Sequence, residues 1–490
     1  MANALAGIKP EKVWMYFEKI CSIPHGSKKE EKLAQWIIDW AKEKKFEVQT
    51  DKLGNIAVRK PATPGMENRK PVTLQGHIDM VCEKNSDVEF DFDTMGIQPY
   101  IDGDWVKAKG TTLGADNGIG VAMSMAILDS TEFPHPALEM LCTLDEETGL
   151  TGANQLATDL LKGEILINID SEVEGTFTIG CAGGINTGGL FKYEAEAVPA
   201  DHTAYKLTIK GLKGGHSGIE INDGRANAAK LMIRVINNLM KSINIKLSSI
   251  DSGNKHNAIP REAFAVITVP NDKKAEFDKF IANFNKILLD EWKTKEPGFT
   301  FIATPESNVN RVMTDDLQNR LIKSFILMPH GPYRMSPDIK GLVQTSTNFA
   351  IVETRKDEIY YLSSQRSSME SEKIALAEAV QAALTVGGAK VESGDGYPAW
   401  QPNVKSPILQ KASEVYKQIN GSEPKIEIIH AGLECGLIGE KYPNMDMLSI
   451  GPNLADVHSP DEKCQISSVE RVFHFLTELL KNIPEKKNIA

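Results

Sequence analysis

The stretch Gln75-Gly76-His77-Ile78-Asp79-Met80 constrains this chain more than any other. It follows an apolar run, Pro71-Val72-Thr73-Leu74, that reads as a buried strand. Side chains alternate along a strand, so His77 and Asp79 point to the same side of the sheet edge. An imidazole with a carboxylate behind it suits a metal ligand and its orienting partner. Such a pair alone is more often structural, so its meaning rests on what else the fold brings to that edge. The small Gly76 predicts a close approach of substrate or metal to the backbone.

The rest of the pattern says what kind of sheet this is. Helical spacing runs over residues 10–22 and 28–45, and strands are predicted at 46–49 and 56–58. Residues 84–110 read as an acidic excursion with a hairpin near Asp102-Gly103. Helix 119–128 and strands 138–144 and 165–170 follow, which predicts a mostly parallel α/β sheet. Gly180 to Gly189 holds five glycines and reads as a hinge or linker. A second α/β region then runs to about residue 390 and includes a long loop from Pro329 to Ser346. The first pattern resumes with a strand near Val391. The 490 residues exceed one ordinary core. The organisation predicted is one domain of residues 1–186 and 391–490, interrupted by an inserted domain of residues 187–390.

Composition narrows the function classes. A net charge of −11, with 41% hydrophobic and 25% charged residues, is that of a soluble globular protein. It offers no basic stripe for nucleic acid and no polybasic membrane anchor. No apolar run approaches the roughly 18–20 residues of a membrane span. The N-terminal residues lack the pattern of a signal peptide. The six cysteines are scattered without a Cys-x-x-Cys pair, which predicts reduced thiols in a cytoplasm.

Five places at or beyond predicted strand ends carry metal-type side chains: His77 with Asp79, Asp116, Asp145-Glu146-Glu147, Asp170 and His458. In an open α/β sheet, sites form outside the carboxyl ends of the strands. Two histidines and three carboxylates make a shell for two divalent ions with one carboxylate bridging. A further carboxylate is needed to take a proton from water, and adjacent Glu146 and Glu147 offer one of each. Taken singly, each of these acids also fits a solvated carboxylate, and Asp170 before Ser171 fits a helix cap.

The motifs resemble those of the M20 family of metallopeptidases. They read Gly76-His77-Ile78-Asp79, Gly114-Ala115-Asp116-Asn117-Gly118, Glu146-Glu147-Thr148-Gly149-Leu150-Thr151-Gly152-Ala153, Asp170 and His458-Ser459-Pro460-Asp461-Glu462. The stretches at 76–81 and His430-Ala431-Gly432-Leu433-Glu434-Cys435-Gly436 are most similar to its aminoacyl-histidine dipeptidase branch. The resemblance implies a di-zinc peptidase domain with an inserted α/β lid, cleaving Xaa-His (carnosine-like) and other unblocked dipeptides; manganese or cobalt also suits such ligands. It makes His77 and Asp170 ligands of one metal, Glu147 and His458 ligands of the other, and Asp116 the bridge. It implies a cis peptide after Asp116, Asp79 orienting His77, and Glu146 as general base and acid. Asp rather than Glu at 170 favours peptidases over the alternative, deacylases acting on N-acyl amino acids. In the lid, His216 within Lys213–Gly218 is implied as an oxyanion stabiliser. Asn257 and Arg366 are implied as substrate-binding, the guanidinium suiting a dipeptide's carboxylate. A homodimer is implied as well, and the lid of about 200 residues has room for two α/β halves.

Overall fold

The computed structural model describes residues 4–337, 339–394 and 396–486. The expectations placed on residues 1–3, Asp338, Asp395 and residues 487–490 lie outside the described residues. The chain falls into two compact units: residues 1–181, 400–428 and 433–490, and residues 182–399 with 429–432.

The first unit is built on an eight-stranded sheet. Its strands run in the order Glu47–Thr50, Ile56–Lys60, Leu138–Thr143, Val72–His77, Ile165–Asn168, Asp446–Ser449, Thr176–Cys181 and Lys425–Ile429. The four middle strands are parallel and those flanking them pair antiparallel. Every residue of Val72–His77 and Leu138–Thr143 is buried. Their polar members are buried with the rest, and Thr73 and Gln75 are paired: Thr73 donates to Glu139 at 2.9 Å and Gln75 to Glu434 at 2.6 Å. Helix Ala115–Leu128 packs on Val72–His77 and on helix Glu11–Cys21. It is apolar all round and buried at every position but Asp116. Asp116 and Asn117 at its head are not helical, and the bond between them is cis.

Gly76 does allow a close approach, but not by substrate or metal. A Cβ there would stand 2.2 Å from Oδ1 of Asn117. The amide of Asn117 fills that space and donates to the carbonyl of Ile169, locking the helix head against two strands. The acidic excursion forms the predicted hairpin, Pro99–Asp102 with Trp105–Ala108. It is extended by Lys463–Gln465 and Leu454–Ala455 into a four-stranded sheet, whose outer hairpin carries His458 in its loop.

The second unit carries an antiparallel nine-stranded sheet. Its order is Thr300–Pro305, His202–Lys210, Ala263–Pro270, Lys246–Ser252, Val343–Thr354, Glu358–Ser367, Gly183–Lys192 and Lys390–Ser393, with Gly331–Met335 also paired to Val343–Thr354. The sheet has two halves, joined between Lys246–Ser252 and Val343–Thr354 by the single pair Ser252 with Val352. Helices Ala228–Ser242 and Lys274–Trp292 pack on strands of the first half, and Glu370–Val386 packs on the second. Their core includes Leu207, Ile233, Leu288, Phe325, Phe349 and Tyr361.

Three further expectations differ from the structure. The glycine-rich stretch is not a hinge: Gly183–Lys192 is a strand paired on both sides. Its glycines mark close packing, since a Cβ at Gly189 would meet Leu384 at 2.7 Å. The long loop after Pro329 holds strand Gly331–Met335 and the start of Val343–Thr354. The strand at Val391 pairs with Gly183–Lys192 and so belongs to this second sheet. None of the described helices is long and apolar enough to cross a membrane.

Candidate metal centre and active site

Three adjacent parallel strands deliver much of the site at their carboxyl ends. His77 ends its strand, Asp145-Glu146-Glu147 follow Leu138–Thr143, and Asp170 follows Ile165–Asn168. Asp116 comes from the non-helical head of the buried helix, and His458 from its hairpin loop. Nε2 of His77 lies 3.1 Å from Oδ1 of Asp116 and 3.5 Å from Oδ1 of Asp170. Nε2 of His458 lies 3.3 Å from Oδ2 of Asp116 and 3.0 Å from Oε2 of Glu147. Asp116 therefore turns one oxygen to each imidazole. Ligand-type atoms of His77, Asp116 and Asp170 all fall within 4.8 Å of one another, and so do those of Asp116, Glu147 and His458.

Behind these groups stands Asp79. Its carboxylate is 3.2 Å from Nδ1 of His77, so the ring donates there and keeps Nε2 for a ligand. It also accepts from Ser27 Oγ at 2.8 Å and from the backbone N–H groups of Glu146 and Glu147 at 2.9 and 3.2 Å. One carboxylate thus ties the His77 strand end to the turn bearing both glutamates. That turn starts at Asp145 with φ of +48°, and His458 has φ of +61°, left-handed values that cost energy in a residue with a side chain. Hydroxyls of Thr148 and Thr151 donate to the Asp145 carboxylate and hold it there.

Glu462, four residues past His458, fixes the other side. Its Oε2 accepts from the N–H groups of Leu113 and Gly114, at 2.7 and 3.0 Å. Its Oε1 accepts from those of Ala115 and Asp116, at 2.8 and 3.3 Å. In Glu462→Gln one oxygen becomes an amide donor facing two donors, each orphaned at a cost of about 1–3 kcal/mol. Calorimetry is expected to show a lower thermal midpoint for this variant, with weaker retention of metal on dialysis. Unchanged values of both would remove Glu462 from the support of Asp116.

The electrostatics fit cations. Burial pushes the carboxyls of Glu146, Glu147 and Asp170 above their ordinary range. Burial would raise Asp116 too, but hydrogen bonds from His458 and His77 hold it below. Hydrogen bonds to Asp116 and Glu147 lift His458 to about 11. Burial works against protonation of His77, yet Asp170, Asp116 and Asp79 outweigh it and keep its pKa well above normal. The cleft holds more buried negative charge than two imidazoles neutralise. Oδ1 of Asp170 is also buried with no hydrogen-bond partner among the described residues. A buried carboxylate oxygen without a donor, beside an imidazole nitrogen and a second carboxylate, is a donor set suited to a divalent ion.

The second unit brings His216 and Asn257 together through a two-stranded ribbon, Gly215–His216 with Ala258–Ile259. The N–H of Ser217 donates to the carbonyl of Asn257 at 2.8 Å. His216 and Asn257 line one cavity of about 790 Å³, with Lys213, Asp251 and Arg261. Nδ1 of His216 accepts from the N–H groups of Gly218 and Ile219, at 3.2 and 3.1 Å, which leaves the ring proton on Nε2. Burial and the nearby charge of Arg366 lower its pKa, so the ring is a neutral donor. Arg366 lies outside that cavity's lining, on strand Glu358–Ser367, and is only 7% exposed.

One buried acid beside the first-unit cluster had no role on sequence grounds. Glu434 accepts from Gln75 Nε2 at 2.6 Å and Thr143 Oγ1 at 2.8 Å, and its Oε1 has no partner among the described residues. Burial, helped by Asp170, lifts its carboxyl to about 7. Its one visible signal is an acid inside the apolar run Leu433–Leu437.

Residues 207–296 match the model of the peptidase dimerisation domain of the M20 family. The chain is 45% identical to the cytosol non-specific dipeptidase of Escherichia coli K12 over 484 residues, 99% of this chain and 100% of that protein. It superposes on the crystal structure of aminoacylhistidine dipeptidase from Vibrio alginolyticus with a TM-score of 0.93, at 44% identity and covering 98% of each chain. A Bacillus cereus aminopeptidase, PepT, shares the fold at a TM-score of 0.57 and 14% identity, over 97% of this chain and 99% of that one. With such identity along its whole length, the chain belongs to the M20 family of metallopeptidases, in the branch of the aminoacyl-histidine dipeptidases.

Proposed function

We propose that this protein is a metal-dependent dipeptidase that hydrolyses Xaa-His and other unblocked dipeptides. The observation that carries the reading is Asp116, whose two oxygens serve two histidine–carboxylate sets at once, with Glu146 alongside. His77 and Asp170 would hold one divalent ion, Glu147 and His458 the other, and Asp116 would contribute to both. Zinc is the first choice for imidazole and carboxylate donors. Bound there, such ions supply Lewis-acid polarisation and acidify a water.

The remaining work belongs to the chain. Glu146, raised in pKa, takes the water's proton and returns it to the leaving amine. Asp79 fixes the tautomer of His77. The Nε2–H of His216 donates to the carbonyl oxygen as negative charge develops there. Asn257 donates to the substrate, and the guanidinium of Arg366 receives its carboxylate. Residues 182–399 with 429–432 form the lid domain and the rest the catalytic domain. The dimerisation-type segment supports a homodimer, and six free cysteines with a cytosolic relative support work in the cytoplasm.

The test is a substrate panel on metal-stripped protein reconstituted separately with zinc, manganese and cobalt. β-Alanyl-histidine and other Xaa-His dipeptides are expected to be cleaved, and N-acetyl amino acids spared. Hydrolysis of only the N-acetyl compounds would replace this reading with a deacylase.

A further inference from the structure

Arg366 is an unusual cation. It is nearly buried, its Nε has no hydrogen-bond partner, and no carboxylate lies within ion-pair distance among the described residues. Its uncompensated charge is felt by its neighbours. Burial and Arg366 together hold His430 down at about 3, and they lower His216 and His256. A buried guanidinium in that state is poised for an anion, yet it binds one well only if its fork is held still.

The group that holds it is Tyr397. Nη1 of Arg366 donates to the Tyr397 hydroxyl at 2.8 Å. This uses the end of the guanidinium and leaves the Nε–Nη2 edge, the side that grips a carboxylate through two parallel hydrogen bonds. Tyr397 is itself locked. Its backbone pairs both ways with Gly184, at 2.8 and 3.0 Å, and Gly184 is the register partner of Arg366. Its carbonyl accepts from Lys373 Nζ at 2.7 Å, and that lysine is 3% exposed and paired with Glu370 at 2.8 Å. Its ring occupies space left by two glycines. A Cβ at Gly184 would stand 2.6 Å from the ring, and one at Gly432 2.9 Å. Two residues without side chains, a buried lysine and a paired backbone converge on this one phenol.

We propose that Tyr397 is a positioning residue for carboxylate recognition, its hydroxyl clamping Nη1 of Arg366 so that the Nε–Nη2 edge is presented to the free carboxylate of the dipeptide. This rests on the reading above that Arg366 receives that group. In this role Tyr397 acts through the guanidinium that its hydroxyl holds. Specificity for a free C-terminus then depends on a phenol hydroxyl that touches nothing reacting.

Tyr397→Phe tests this, because it removes the hydroxyl and keeps the ring between the glycines. β-Alanyl-histidine and its C-terminal amide are the substrates. KM for the free acid is expected to rise about tenfold, the worth of one hydrogen bond to a charged group, with kcat within about twofold. The preference for acid over amide falls accordingly. That ratio is internal to each preparation, so partial loss of folded enzyme does not move it. Arg366→Gln is measured alongside. If it abolishes the preference while Tyr397→Phe keeps the wild-type ratio, the clamp is overturned and the carboxylate reading stands. If Arg366→Gln also keeps the preference, the carboxylate reading falls and the clamp with it.

Discussion

Glu146→Gln is expected to lower kcat at least about a thousandfold while the bound metal stays at the wild-type level, since general acid–base catalysis is worth roughly a hundred- to ten-thousandfold. Glu146 lies within ligand range of His77 and Glu147, but neither of the two sets that share Asp116 contains it. Its backbone N–H is tied to Asp79 at 2.9 Å, an anchor that glutamine keeps. Glutamine also matches its volume, so the turn keeps its shape. What glutamine lacks is a site that can accept and release a proton. Burial and the adjacent carboxylates Asp170, Glu434 and Glu147 raise the pKa of Glu146, bringing its proton affinity closer to that of the groups it must serve. Metal analysis of the same preparation separates the outcomes. Lost turnover with lost metal would make Glu146 a ligand, and near-wild-type turnover would end its role as the base.

The parts of this fold legible in the sequence are those that one strand or helix specifies by itself. The run Val72–Leu74 announces a buried strand, and residues beyond its end face the edge whatever the neighbours are. Hence His77, Glu147 and Asp170 could be named before their convergence was visible. His458 was different, because it sits on a hairpin loop rather than a strand end, and only its motif singled it out. What could not be read depends on partners distant in sequence. The glycines of 180–189 look the same whether they loosen a hinge or admit Leu384 and Tyr397, and only the neighbours decide. Gly76 suggested room for a ligand, but Asn117, 41 residues on, takes that room. Glu434 and Glu462 look like surface acids until strands and loops cover them. Tyr397 carries no sequence signal, since its importance lies in the guanidinium it meets.

Asp116→Asn is the sharper test of a shared centre. An asparagine keeps the shape of the side chain but offers one oxygen, and its amide nitrogen cannot ligate a metal. If the two oxygens of Asp116 serve both sets, this one change disables both, and bound metal falls below one equivalent per chain with activity lost. Asp170→Asn touches only the set that contains His77, and is expected to leave close to one equivalent. The contrast between the variants matters more than either value, because any ligand change weakens binding but only a bridge weakens it twice. Two equivalents retained in Asp116→Asn would mean separate sites. Protons offer a second reading. Without metal, His458 has a pKa near 11, held up by Asp116 and Glu147, so a cation must displace its proton at neutral pH. Titration calorimetry in buffers of different ionisation enthalpy is expected to show proton release on metal binding, and affinity that falls as the pH is lowered. Replacing Asp116 removes a carboxylate that holds the proton on His458, so the variant is expected to release fewer protons for each ion it still binds.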